Sequence, residues 1–163
     1  AYELRNEAID ILFNNAGVYG SNRNRFGQID ADDWLKTFQI NTIGPTRMVE
    51  YFHQHLLAGQ RKLVAFLSSK MASMDDNSSG GSYIYRSSKA ALNAVVKSLS
   101  IDLADDGIIC VALHPGWVKT DMGGPDAQIS AEQSVSHMLS NLDRLKQADS
   151  GRFLDIDGSD IPW

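Results

Sequence analysis

The stretch SYIYRSSKAALNAVVKSLS, residues 82–100, sets Tyr85 and Lys89 four positions apart at the start of a helix-like run. Residues at that spacing share one face of a helix, so both side chains project into the same space. A phenol with a pKa near ~10 is a poor proton donor or acceptor at neutral pH, but a cation held beside it favours the phenolate. The pair could therefore form an acid/base centre. Taken alone it also reads as a packed aromatic and a solvated cation, and the rest of the chain has to decide. Tyr83 has no such partner, because Ser87 stands four residues on.

The elements that must position this pair are legible as four short apolar runs: IDILFNNAG (9–17), KLVAFLSS (62–69), GIICVALHPG (107–116) and GRFLDIDG (151–158). Between them lie helical stretches at about 31–58, 82–105 and 131–146. Strand and helix alternating in this way predict parallel strands with helices on the faces, the doubly wound α/β class. The polar, glycine-containing segments SMDDNSSGG (73–81) and TDMGGPDAQIS (120–130) both follow the carboxyl end of a predicted strand. Ligands of open α/β sheets bind at that edge.

Three strand ends carry candidate residues. The first ends in Asn14, Asn15, Ala16 and Gly17, where a glycine permits a close turn and amides can fix neighbouring backbone. The second ends in Ser68 and Ser69, which alternation sends to opposite faces, so only one points into a site. The third runs into HPGWVKTD, where Pro115 and Gly116 turn the chain and leave backbone groups available. In FQINTIGPTRM, Pro45 has no N–H for the carbonyl of Asn41, which leaves either a water site or a kinked helix. The SAEQ segment opening at Ser130 is a capping box with Gln133.

Composition narrows the partners. The 163 residues are long enough for one core and carry a net charge of −5, with no basic stripe for nucleic acid or an anionic membrane. No apolar run is long enough to span a bilayer and no basic-then-apolar leader opens the chain, so a cytoplasmic protein with a small-molecule ligand is expected. Cys110, the one cysteine, reads as a small core hydrophobe. His53 and His55, two apart on a helix, face different ways, so no metal site is expected. Trp34, Phe38 and Met48 sit at helical spacings that predict core positions.

Together, Asn14-Asn15-Ala16-Gly17, Asn41, the serine pair, Tyr85 with Lys89, and Pro115-Gly116 followed by Val118 and Thr120 resemble the short-chain dehydrogenase/reductase family, in family order. The resemblance runs over essentially the whole chain, and YRSSKAALNAVVKSLSIDL with LHPGWVKTDMGG is most similar to C-factor/sniffer-type carbonyl reductases. It implies a Rossmann-type fold and NAD(P)-dependent reduction of aldehydes or ketones. Tyr85 would be the general acid, its pKa lowered by Lys89. Lys89 would also hold the nicotinamide ribose, and Asn41 would complete a proton relay. Ser69, second of its pair, would orient the carbonyl, across a loop to Tyr85 longer than the commoner family spacing. Asn15, Ala16, Gly17, Tyr85, Lys89, Pro115, Gly116, Val118 and Thr120 would line the cofactor, with NADP(H) favoured and NAD(H) the alternative. The short 120–130 segment, where the family's substrate lid grows, implies an open and tolerant pocket.

One departure stands out. The family's glycine-rich turn after its first strand is not found in these residues, and AYELRNEAID reads like the helix end before its fourth strand. At about 30 residues per βαβ unit, roughly 70 residues are expected to be missing, leaving the later half of a single Rossmann-type domain over 1–163. Residues 9–14 should then form an unprotected apolar edge. Two readings follow: part of an NAD(P)-dependent carbonyl reductase, or a non-catalytic interaction module that keeps the helices 31–58 and 82–105 through which the family dimerises.

Overall fold

The computed structural model describes residues 7–163. Four strands, β1 (Ile11–Asn14), β2 (Leu63–Leu67), β3 (Ile109–Leu113) and β4 (Phe153–Leu154), form one parallel sheet in the order β1-β2-β3-β4. The connections carry α1 (Ala31–Phe38) and α2 (Gly44–Ala58), then α3 (Tyr83–Asp102), then α4 (Ala131–Arg144). The alternation read from the sequence is thus present, element for element. The helix end expected near residues 1–10 lies outside the described residues at 1–6, and Glu7–Ile9 are not helical.

Period-two alternation along β2 and β3 builds two cores. Val64, Phe66, Cys110 and Ala112 point to one face, where Val49 and Leu56 of α2 and Leu92 and Val96 of α3 cover them. Leu63, Ala65, Val111 and Leu113 point to the other, against Met138 and Leu142 of α4. Each of the larger aliphatic or aromatic side chains contributes roughly 1.5–3 kcal/mol by leaving water. The strands follow one another in order across the sheet, so α4, lying on the opposite face from α2 and α3, makes the β3-to-β4 crossover opposite in hand to the other two. That crossover carries residues 117–130 across the carboxyl edge, over the site.

Among the described residues β1 pairs only with β2, and Ile11, Leu12 and Phe13 are partly buried. β4 is shorter than its predicted run. Gly151 and Gly158 both take positive φ, and the Asp155 N–H bonds Ser159 O, so the chain turns out of the sheet after Leu154.

The long first helix departs from the expected kink. Between α1 and α2 lies a π-turn over Gln39–Ile43, closed by the Gly44 N–H on Gln39 O, so one extra residue absorbs the missing proline N–H without breaking the rod. Met48 is exposed rather than in the core, while Trp34 and Phe38 are half-buried, because α2 turns Val49 and Leu56 toward the sheet. The Ser130–Gln133 capping box starts α4 as the spacing predicts.

Candidate active site

α3 presents Tyr85 and Lys89 on its buried side, 7% and 3% exposed. Its neighbour is the turn-and-bulge region of the first helix. The Asn41 side chain accepts from Val18 N–H at 2.8 Å and donates to Val18 O at 2.8 Å and to Ser88 Oγ at 3.0 Å. Ser88 Oγ in turn donates to Tyr85 O at 2.8 Å, and Thr42 Oγ1 to Ser88 O at 2.8 Å. The π-turn that places Asn41 thus ties the segment after β1 to the helix that carries the pair. Gly17 sits where a Cβ would lie 3.3 Å from Lys89 Nζ and 3.4 Å from Asn41 Oδ1, so glycine lets that segment approach both side chains.

The two serines hold different hydrogen-bond partners, although both residues border the open space in front of Tyr85. Ser68 Oγ donates into the interior, to Asn93 Oδ1 at 2.6 Å, and Ser69 Oγ faces the cavity, accepting from Met71 N–H at 3.2 Å. The next residue's N–H, from Lys70, donates to His114 Nδ1 at 3.3 Å, which calls for the imidazole with its proton on Nε2. At the third strand end Ser134 Oγ holds Pro115 O at 2.6 Å. Gly116 adopts φ 80°, and a Cβ there would come within 2.7 Å of Ile129 Cδ1, so the turn requires glycine.

Two cavities meet at Tyr85. One, of about 430 Å³, is lined by Tyr85, Ser69, Tyr19, His114, Trp117 and Met122. The other, of about 270 Å³, is lined by Tyr85, Lys89, Asn15, Gly17, Thr120 and Met138. Pro115, Val118 and Thr120 face both, and Gly116 faces the first. Asn41 lies behind the wall, and Ala16, although adjacent in sequence, is exposed and lines neither cavity. The Thr120 hydroxyl is partly engaged by its own loop, accepting from Gly123 N–H at 3.2 Å.

Burial sets the electrostatics. Removal from water pushes the Tyr85 phenol up from its ordinary value, and the Ser69 hydroxyl beside it pulls the other way. Burial also lowers the Lys89 ammonium to about 8, and its Nζ donates to Leu67 O at 2.6 Å. The expected lowering of Tyr85 by Lys89 is therefore not seen. Nζ stands 6.0 Å from the ring centroid and bonds a carbonyl, while desolvation acts on both groups. Burial likewise pushes the Cys110 thiol to about 12, in keeping with a core residue. His53 bonds Asp106 at 2.8 Å and His55 bonds Glu7 O at 2.8 Å, each tying α2 to a segment distant in sequence.

Tyr19, His114 and Ser134 were not singled out by sequence reasoning. For Tyr19 a signal existed, an aromatic two residues beyond Gly17 at the ligand-binding edge of the sheet. His114 and Ser134 act through backbone contacts that spacing does not reveal.

A parallel α/β sheet of the Rossmann type thus carries a Tyr-x-x-x-Lys pair and a strand-end serine at its carboxyl edge, with the asparagine of the π-turn behind them. The family model described as short chain dehydrogenase matches residues 2–130, and the chain belongs to that family. It is 47% identical over 155 residues to C-signal of Myxococcus xanthus, covering 95% of this chain and 93% of that one. The solved carbonyl reductase Sniffer of D. melanogaster superposes with a TM-score of 0.94 at 35% identity, over 99% of this chain and 69% of its own. An NADPH-bound carbonyl reductase from chicken fatty liver gives a TM-score of 0.89 at 32% identity, over 99% and 69%. No described helix is long and apolar enough to cross a membrane.

Proposed function

We propose that the chain carries the catalytic half of an NAD(P)-dependent reductase that turns aldehydes or ketones into alcohols, with NADP(H) favoured. The observation that carries this reading is the place of Tyr85, its buried ring shared by two adjoining cavities, with Ser69 beside its hydroxyl and Lys89 four residues on.

The residues fit the nicotinamide-ribose end of such a cofactor. Lys89 offers a buried ammonium, Asn15 an amide, and Gly17 a wall kept low by the lack of a Cβ. Val118 and Thr120 line the same cavity, and their backbone and hydroxyl would meet the carboxamide. NADPH bound there would supply the hydride. Tyr85 would give its proton to the carbonyl oxygen as negative charge gathers on it, and Ser69 would hold that oxygen by a hydrogen bond. A phenol raised by burial is a poor base but holds its proton until a developing alkoxide takes it, which suits reduction. Lys89, at about 8, stays mostly cationic at neutral pH and would leave Leu67 O for a ribose hydroxyl. Asn41 would act from behind, by fixing Val18 and Ser88 and through a carbonyl that Pro45 leaves without its ordinary helical donor.

Titration of the chain with NADPH and then NADH by calorimetry, followed by aldehyde reduction, tests this. Saturable micromolar binding with turnover is expected, and a folded chain that binds neither cofactor would remove it.

A second reading, an interaction module without turnover, is favoured by one observation: C-signal, named as a signal, is matched over 93% of its length. The partly buried β1 edge, and the exposed Met48, Tyr51 and Ile101 on α2 and α3, would be its contact surfaces, the helices serving a homodimer. The same helices would serve a dimeric reductase in the cytoplasm.

A further inference from the structure

Tyr19 stands between two chambers of unlike chemistry. On one side lies the cavity holding Tyr85 and Ser69, with Trp117, Met71 and Met122 in its lining. On the other lies a chamber of about 650 Å³ lined by Arg25, Asn24, Ser79 and Phe26. Tyr19 lines both. The first offers aromatic and thioether surface, the second a guanidinium, an amide and a hydroxyl.

The Tyr19 side chain is held at both ends. Its ring stacks on that of Tyr85, centroids 4.6 Å apart at 24°, and its hydroxyl hydrogen-bonds Ser82 Oγ at 2.8 Å. Ser82 is the N-cap of α3, yet its side chain makes no capping bond; it takes φ 47° after Gly80 at 63° and Gly81 at 65°. A non-glycine residue in the left-handed region needs a local reason, and the bond to Tyr19 supplies one. The backbone on either side of Tyr19 is fixed as well. Asn41 clamps Val18, the Ser21 N–H donates to Asp33 Oδ2, and a Cβ at Gly20 would lie 2.9 Å from Ile84 Cγ2. With the backbone on both sides held, the Tyr19 side chain is the part of this segment free to adjust, and it is the residue the two linings share.

We propose that Tyr19 is the specificity-determining wall of the substrate cavity: in place, it confines the bound compound to the Tyr85 side, and without its ring the chambers join. The joined cleft takes compounds whose hydroxyl or carbonyl sits at Tyr85 and whose anionic tail reaches Arg25. The inference rests on the reductase reading for the identity of the substrate, but the wall itself is tested by binding alone.

The test uses the 163-residue chain and two unreactive probes, benzyl alcohol and 5-[4-(hydroxymethyl)phenyl]pentanoate, with affinities read by ligand-observed NMR and no cofactor present. Wild type is expected to prefer benzyl alcohol. Tyr19→Ala is expected to shift the ratio of the two affinities at least tenfold toward the long acid, and adding Arg25→Gln should cancel that gain. Tyr19→Phe, which keeps the ring, should keep the wild-type preference. If Tyr19→Ala does not fold, Tyr19→Leu should shift the ratio in the same direction. An unchanged ratio in the folded variant, or no binding of benzyl alcohol to wild type, overturns the proposal. Because the readout is binding, a chain that binds both probes as expected but reduces no carbonyl would remove the reductase reading and leave the wall standing.

Discussion

Behind Tyr85 and in front of it the molecule is built from different materials. The wall behind, Asn41, Ser88 and Lys89, is polar and at most 3% exposed, and each of these side chains is hydrogen-bonded. The rim in front, Trp117 and Met122, is apolar and each is 49% exposed. A buried polar network has one arrangement in which its donors and acceptors are satisfied, so it fixes geometry. A half-exposed apolar rim contributes area without direction and can yield to ligands of different shape. Position is thus demanded of the residues that would move protons, while tolerance is left to those that would meet the substrate.

That contrast can be broken first at Asn41. Asn41→Ala removes three bonds and leaves the buried partners short, with an expected loss of about 2–4 kcal/mol in chemical unfolding. A loss no larger than that of a rim substitution would erase the difference between wall and rim.

Lys89 sharpens it through pH. The unfolded chain keeps the lysine proton up to about 10.5, the folded chain only to about 8, so the folded state gains stability as pH rises between those values. Lys89→Met removes the buried charge. The variant is expected to be more stable than wild type by about 2–3 kcal/mol at pH 7 and by roughly half that at about pH 9.5, in paired urea titrations. The same variant should lose reductase turnover, since a stabilising change at a functional position removes the group the chemistry needs. A gain that does not shrink with pH would mean that buried charge is not what the wall carries.

The smallest effect is expected at the rim. Met122→Ala should change stability by no more than about 0.5 kcal/mol and alter KM across an aldehyde panel while leaving kcat nearly constant. A fall in kcat of the size caused by a wall substitution would place Met122 in the machinery.

Much of this was legible beforehand because the apolar runs and their turns state the fold directly. β2 and β3 are continuous hydrophobic stretches, as strands buried on both faces must be, and Ser130 with Gln133 announces its helix. The strand ends at Asn15, Gly17, Ser69 and Pro115 could be placed at the ligand-binding edge from their order, while the parts given to Val118 and Thr120 came from the family resemblance. What could not be read were effects of three-dimensional packing. Pro45 signals a missing donor, but whether the helix kinks or admits a π-turn depends on how α1 and α2 meet α3. The i,i+4 spacing of Tyr85 and Lys89 implies a mutual charge effect, yet burial acts on both more strongly, because the lysine head is held by Leu67 O rather than against the phenol oxygen. Ala16 follows Asn15 in sequence but turns outward, and Met48 shares a helix with core residues but faces water.

The central claim, that Tyr85 serves as proton donor where hydride is delivered, is tested most directly by isotope transfer. The chain would be incubated with NADPH deuterated at both C4 positions and an aromatic aldehyde, and the product alcohol examined by mass spectrometry, beside Tyr85→Phe. The account predicts singly deuterated alcohol from wild type, and roughly 10²–10⁴-fold less from a Tyr85→Phe chain that still binds NADPH. Equal deuterium from both chains, or none from a folded wild type, would contradict it.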